Sequence, residues 1–94
     1  MATITNIATL IVRSPEICSN RPRIAGTRIS VQQIATLHEE GLRPADILNE
    51  YEALNLAQVY AALTYYYANQ AEIEAYLAEE TAEYDRLMAE QAAE

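Results

Sequence analysis

Apolar residues in the first third of the chain come in short runs separated by turn residues, a pattern typical of β-structure. Residues 4–12 are rich in β-branched side chains and end just before a proline-containing turn, so they predict a strand. Residues 23–29 place Gly26 between two short runs of alternating apolar and polar residues. Because glycine adopts positive φ without steric cost, Gly26 predicts a tight turn flanked by Ile24 and Ile29. The sequence therefore predicts a short N-terminal β-hairpin.

From Ser30 onward the apolar positions recur every three or four residues, which indicates helices. Ser30, Asn55 and Asn69 are each followed three residues later by Gln or Glu, the signature of a capping box. Pro44 marks a further start, because proline suits the first turn of a helix. The chain contains no Gly or Pro after Pro44, so we expect the last helices to be separated only by a break or kink at residues 68–70.

The predicted fold is mainly α, with the hairpin followed by a three-helix core and a C-terminal amphipathic helix. Two helices of about ten residues, joined by a short link at Gly41, precede a third helix, which is the spacing of a helix-turn-helix, winged-helix or homeodomain-like core. We divide the chain into this domain, residues 1–69, and an acidic helix, residues 70–94, which completes the same domain or extends toward another chain. The predicted core comprises Ile34, Leu37, Ile47, Leu48, Leu56, Val59 and Leu63.

Charge is distributed unevenly along the chain. Residues 1–48 carry five Arg and four acidic residues, a net +1, whereas residues 49–94 carry one Arg and ten acidic residues, a net −9. The total of −8 argues against nonspecific nucleic-acid binding, which depends on phosphate neutralisation by cations. Any contact with nucleic acid must therefore come from the first half.

Four arginines of the first half are candidates for a cationic face that contacts nucleic acid or a partner's acidic pocket. The alternative is a structural role, in which an arginine such as Arg28 pairs with a helix carboxylate. The sequence leaves both interpretations open for these four residues, which are Arg21, Arg23, Arg28 and Arg43.

The residue inventory argues against catalysis. Cys18 and His38 are the only thiol and the only imidazole, and a nucleophile–base pair between them has little support. One histidine among solvated glutamates does not make a metal site, and no Gly-rich phosphate loop is present. We therefore expect no enzyme activity, metal, cofactor or small-molecule substrate. A single cysteine, no apolar run long enough to span a membrane and no signal-peptide pattern favour a cytoplasmic location.

An apolar stripe runs along the predicted C-terminal helix and continues from the tyrosine cluster at residues 65–67. We expect one or two of these tyrosines to pack in the core and another to project outward. A stripe this apolar needs a partner surface, either in a two-fold homodimer that pairs the C-terminal helices or N-terminal strands, or in a complex with another protein. The candidate partner-binding residues are Tyr66, Ile73, Tyr76, Leu77, Tyr84 and Leu87.

The segment Pro15–Cys18 and the run from Arg21 to Val31, which contains Gly26-Thr27-Arg28-Ile29, closely resemble the signature of the small prokaryotic family called domain of unknown function 433. Similarity continues at Gly41, Ile47-Leu48, Tyr51, Leu54 and residues 59–63, and it covers roughly residues 10–78. The resemblance implies a helix-turn-helix-like domain and an antitoxin-like role beside a nuclease of the PIN type.

Two positions depart from the pattern of this family. Ser19-Asn20 stands where the family commonly has two glycines, so the sequence gives no basis for a special backbone geometry there. Arg43 replaces a Ser-like cap before Pro44, which is expected to weaken that helix start while adding a cation.

The function that we expect is non-catalytic binding and neutralisation of a PIN-like ribonuclease toxin through the acidic C-terminal helix. A ribonuclease presents a basic surface to RNA, and an acidic amphipathic helix could cover it. The alternative is a helix-turn-helix transcriptional regulator that binds its own operator weakly through the N-terminal arginines. Because the third helix lacks Arg and Lys, it has little phosphate anchoring.

Overall fold

The structure, a computed structural model, describes Ile4 and residues 6–92. Within that part of the chain no helix is both long and apolar enough to cross a membrane. Two strands and four helices follow one another: β1 Ile11–Val12, β2 Arg23–Ile24, α1 Val31–Glu39, α2 Pro44–Glu50, α3 Leu56–Ala68 and α4 Gln70–Ala92. Short 3-10 turns lie at Ile7–Thr9 and Cys18–Asn20.

The strand predicted over residues 4–12 is much shorter in the structure. Only β1 is extended and paired, antiparallel to β2, with Ile11 opposite Ile24. Asn6 interrupts the prediction because its side-chain oxygen accepts a hydrogen bond from the Ala8 N–H (3.0 Å), which caps the 3-10 turn Ile7–Thr9. Asparagine favours such local side-chain contacts over strand pairing. The first three residues and Thr5 lie outside the described residues.

The turn predicted at Gly26 is confirmed. Gly26 has φ +77°, and the Ile24 N–H donates to the Ile29 carbonyl over 2.9 Å. In the sheet, however, Ile24 pairs with Ile11. The two strands of the hairpin are therefore β1 and β2, and the Gly26 turn follows β2 instead of joining them.

Three consecutive residues adopt left-handed backbone conformations at a position where no special geometry was expected. Cys18, Ser19 and Asn20 have φ of 53°, 55° and 62°. Asparagine tolerates the left-handed region better than most residues, whereas this conformation is energetically costly for Cys18 and Ser19. The backbone bend that two glycines would allow is therefore present without them.

The predicted capping boxes at α1 and α3 are confirmed. Ser30 Oγ accepts from the Gln33 N–H (3.3 Å), and the Ser30 N–H donates to Gln33 Oε1 (2.7 Å). Asn55 and Gln58 make the same exchange at 3.0 and 2.7 Å. Arg43 cannot accept such a bond, but its N–H donates to Asp46 Oδ2 (3.0 Å), which preserves half of the motif.

The break between α3 and α4 occurs at Asn69, as predicted, but the capping box expected there is absent from the described residues. The Asn69 side chain instead donates to the Tyr65 carbonyl (3.2 Å), closing the end of α3. Glu72 is engaged elsewhere, by Arg13 and two tyrosines.

The core is built by four helices rather than three. The predicted core residues Ile34, Ile47, Val59 and Leu63 are buried, and Leu37 and Leu48 pack against them half-buried. Leu56 was predicted to be in the core but is 46% exposed, because it lies on the outward flank of α3. The fourth contribution comes from α4, which packs on α1 and α3 through the fully buried Ile73. The mainly helical fold with a short N-terminal hairpin is therefore confirmed.

The candidate interaction surface on α4

The first half of α4 is held by a cluster of charged and aromatic side chains centred on Glu72. Arg13, just after β1, forms an ion pair with Glu72 and donates to the hydroxyls of Tyr65 (2.6 Å) and Tyr76 (3.4 Å). Both tyrosines donate in turn to the Glu72 carboxylate, over 2.8 and 2.9 Å. This cluster joins the N-terminal segment to α3 and α4.

The protonation of Glu72 is set by competition between burial and hydrogen bonding. Partial burial alone would raise the pKa of Glu72, but the hydrogen bonds from Arg13, Tyr65 and Tyr76 outweigh it and hold the pKa below its ordinary value. Hydrogen bonds to Tyr76 and Glu72 raise the pKa of Arg13 in the same cluster. The ion pair is therefore fully charged at neutral pH.

A second arginine holds the next turns of α4. Arg21 pairs with Glu79 (2.5 Å) and Glu80 (3.2 Å), and its guanidinium lies 4.5 Å from the ring centre of Tyr76. Glu80 also accepts from Gln32 Nε2 on α1 (3.1 Å). The basic N-terminal segment and the acidic helix thus neutralise one another in part within the same chain.

Arg21 and Arg23 are poorly placed for the nucleic-acid or partner contact that the sequence suggested for them. Arg21 is engaged by α4, and Arg23 is only 7% exposed, donating to the Thr27 carbonyl (3.1 Å) and to Ser14 Oγ (2.8 Å). The contact between Arg21 and Glu79 spans 58 positions, and a contact at that range leaves no local signal in a sequence.

Arg28 and Arg43 are exposed. No carboxylate in the described part of the chain pairs with Arg28, so the structural role considered for that residue has no partner among those residues. Arg43 pairs with Asp46 over 3.2 Å on its own helix. Among the four candidate arginines, these two are the ones classed as exposed, whereas Arg21 is half-buried and Arg23 is buried.

Two of the residues predicted to bind a partner are buried in their own chain. Tyr66 is 2% exposed and its hydroxyl donates to Glu39 Oε1 (3.0 Å), while Ile73 is completely buried. Burial, and next the hydrogen bond to Glu39, raise the pKa of Tyr66. The prediction of a partner contact is wrong for this pair, because α4 folds back onto the core before its stripe reaches solvent.

The tyrosine cluster at residues 65–67 is divided between the core and the surface, as predicted. Tyr66 is buried, Tyr65 is half-buried and Tyr67 projects outward with 56% of its surface exposed. The Tyr67 hydroxyl contacts His38 Nε2 (2.5 Å).

Beyond Thr81 every described residue of α4 is exposed, and we call residues 82–92 distal α4. Tyr76 and Leu77 pack half-buried at the edge of the core, and the same helix face continues into distal α4 as Tyr84 and Leu87. Met88 lies beside them and is 46% exposed. It was not among the predicted partner residues, although its spacing of four from Tyr84 indicated that position.

An open groove of about 490 Å³ runs along this face of α4. Tyr84 and Leu87 supply its apolar surface, and acidic side chains line its rim together with Arg21. An apolar strip flanked by carboxylates is suited to a basic protein surface with apolar side chains of its own. The acidic lining residues are Glu79, Glu80 and Glu83.

The thiol and the imidazole each have a different neighbour. Cys18 Sγ donates to the Arg28 carbonyl (3.3 Å), and His38 contacts Tyr67. Among residues 6–92 and Ile4 no group of three or more His, Cys, Asp or Glu side chains is arranged to hold a metal ion.

Both the sequence and the fold of the chain are similar to those of known proteins. The family model described as a protein of unknown function (DUF433) matches residues 11–66, more than half of the chain. The chain belongs to the DUF433 family. The fold is also similar to the crystal structure of a DUF433 member protein from Anabaena variabilis ATCC 29413, with 28% identity and a TM-score of 0.70 over 74% of this chain and 69% of that one. No curated protein matches the chain.

The part of this DUF433 protein that matches the family model ends inside α3, at Tyr66. It includes β1, β2, α1 and α2 and the left-handed turn at residues 18–20. The exposed face of distal α4 therefore lies outside the matched residues.

Proposed function

We propose that this DUF433 protein is a non-catalytic protein-binding module whose partner docks on distal α4. The single observation that carries the proposal is the continuation of one apolar helix face from a buried position at Ile73 to exposed positions at Tyr84 and Leu87. Large apolar side chains along one helix face are typical of helix-in-groove recognition. Their burial on binding would stabilise the complex because it removes apolar surface from water, and tyrosine and methionine are enriched in interfaces.

The charge around this face favours a basic partner. Distal α4 carries Glu83, Asp85 and Glu90, and Arg86 pairs with two of them, Glu83 and Glu90. A metal-dependent ribonuclease presents cations to RNA and holds its metal ion with carboxylates, so a helix that covers its basic surface would block the substrate. With the antitoxin-like role implied by the family resemblance, the proposed partner is a PIN-like ribonuclease toxin.

The remaining helices are proposed to act as the scaffold for this docking helix. α1, α2 and α3 pack against one another, and this packing supports the proposal of a helix-turn-helix or homeodomain-like core. In this proposal the core serves to orient α4, through the Arg13 and Arg21 contacts described above.

The proposal predicts that the adjacent gene encodes a PIN-like ribonuclease, and that protein is the probe for the test. Ribonuclease activity on a fluorogenic RNA would be titrated with the full-length chain and with the double variant Tyr84→Ala and Leu87→Ala. We expect the full-length chain to inhibit the nuclease, and the double variant to bind at least about 30-fold more weakly if these residues are hot spots. Since both side chains are exposed, the variant should keep the wild-type circular dichroism spectrum.

A matched control is Tyr60→Ala, which removes an exposed tyrosine from α3 instead. It should inhibit as well as the wild type. Full inhibition by the double variant would contradict the proposal, as would undiminished inhibition by a chain truncated after Thr81.

The DNA-binding alternative has less support than it had from the sequence. Of the four candidate arginines, Arg28 and Arg43 are the exposed ones, and α3 carries no cation to contact phosphates. A mobility-shift assay on the DNA upstream of the gene at low salt tests it. Retardation that is lost in the variant Arg28→Gln and Arg43→Gln would favour this alternative.

A further inference from the structure

The outward face of α3 is an apolar surface that the proposed function does not use. Leu56 and Tyr60 lie side by side on this face, one helical turn apart, and Tyr67 continues the row. Each exposes about half of its surface. We call Leu56, Tyr60, Thr64 and Tyr67 the α3 face.

Next to this row lies a groove. The exposed 3-10 turn Ile7–Thr9 stands beside α3, and the space between them is an open groove of about 310 Å³. Its walls are almost entirely apolar or uncharged, formed on one side by Ile7 and Ala8 and on the other by Ala61, Thr64 and Ala68. The same surface therefore presents protruding aromatic side chains and a recess that could receive one.

Charge is absent from this part of the chain. Residues 53–71 contain no Asp, Glu, Lys or Arg, although the whole chain has a net charge of −8. Two copies of so acidic a protein repel one another through most of their surfaces, and most strongly through α4. A surface without charge avoids that repulsion, and it offers no counter-charge to a basic protein or to nucleic acid.

We infer that the α3 face is the site at which two copies of this chain associate. A two-fold interface uses the same patch on both copies, so the patch must contain both a protrusion and a recess that fit one another. The tyrosines and the groove between α3 and the 3-10 turn supply the two parts. This inference places self-association on α3, away from the C-terminal helices and N-terminal strands that the sequence suggested, and it does not depend on the identity of the partner of α4.

Sedimentation equilibrium of the full-length chain at 1–100 μM tests the inference. We expect a monomer–dimer equilibrium for the wild type, and a shift toward monomer of at least about 30-fold in the dissociation constant for Tyr60→Glu, which buries a charge in the interface. Because residues 53–71 carry no charge and the rest of the acidic chain repels its copy, the wild-type dimer should be as tight or tighter at 500 mM NaCl than at 50 mM.

The matched control is Leu87→Glu, which adds the same charge to distal α4 and should leave the dimer intact. Leu56→Ala with Tyr67→Ala provides a second, uncharged change to the α3 face, and should also weaken the dimer. A monomeric wild type at 100 μM, a Tyr60→Glu variant that still dimerises normally, or loss of the dimer in Leu87→Glu would each overturn the inference. Because Leu87→Glu alters the surface proposed for the nuclease and Tyr60→Glu does not, the two proposals fail separately.

Discussion

Glu72 is the residue through which pH should act most directly on stability. Its pKa is depressed in the folded protein, so the unfolded chain takes up a proton at a higher pH than the folded chain does. The stabilisation from the Arg13–Glu72 cluster is therefore complete above the unfolded pKa of about 4.3 and is lost as the pH falls through the lower folded value.

We expect Glu72→Gln to lower the free energy of unfolding by about 1 kcal/mol at pH 7, a modest value because both partners are about one-third exposed. The difference from the wild type should shrink as the pH is lowered from 6 to 3. Urea denaturation across this range measures it. Glu52→Gln, at an exposed loop residue, is the control, and an unchanged difference at acidic pH would contradict the assignment.

Sequence patterns predicted the residue-scale features that depend on near neighbours. Ser30 and Gln33 cap α1 because the two residues are three positions apart, and Gly26 forms its turn with adjacent residues. The contact between Arg13 and Glu72 spans 59 positions, and no periodicity within either segment indicates it. The sequence therefore left both interpretations open for Arg21 and Arg23, and the structure shows that each makes contacts within the chain.

Among the elements, α4 divides into a part that belongs to the core and a part that does not. Ile73 is completely buried, whereas all described residues beyond Leu77 are exposed. A division of the chain at residue 69 would therefore remove a core residue along with the partners of Arg13 and Arg21.

We expect truncation after Thr81 to leave the free energy of unfolding within about 1 kcal/mol of wild type, since every deleted residue that the structure describes is exposed. Ile73→Ala should cost about 2–4 kcal/mol, because it leaves a cavity in the core. Truncation after Asn69 should abolish the cooperative transition. Urea unfolding monitored by circular dichroism distinguishes the three, and a stable, cooperative 1–69 fragment would show that α4 is dispensable to the fold.

The structure differs from the sequence-based predictions in elements whose hydrophobic pattern fits two different structural environments. Residues 4–12 have the composition of a strand, but Asn6 begins a 3-10 turn and leaves pairing only to Ile11 and Val12. α3 is apolar nearly all round, so periodicity could not separate its core face from the flank that holds Leu56. Burial is decided by where α1 and α4 pack, and those contacts are long-range.

The whole molecule is elongated, because distal α4 extends from a small body. Its principal extents are 62 × 29 × 23 Å and its Cα radius of gyration is 15.1 Å, whereas a compact chain of this length has about 12 Å. We expect truncation after Thr81 to reduce the radius of gyration by about 2–3 Å toward that compact value. Small-angle X-ray scattering at dilutions where light scattering finds a monomer measures this, and an unchanged radius would mean that distal α4 folds against the body in solution.

The ion pairs between the N-terminal segment and α4 also determine the order in which parts of the chain can fold during synthesis. Arg13 and Arg21 emerge from the ribosome early, but their partners Glu72 and Glu80 are each 59 residues further along. At about 5–20 residues per second, these arginines wait several seconds without their acidic partners. Closure of α4 over the N-terminal segment is thus a late step, and until it occurs the nascent chain presents a positively charged end instead of the acidic surface of the finished protein.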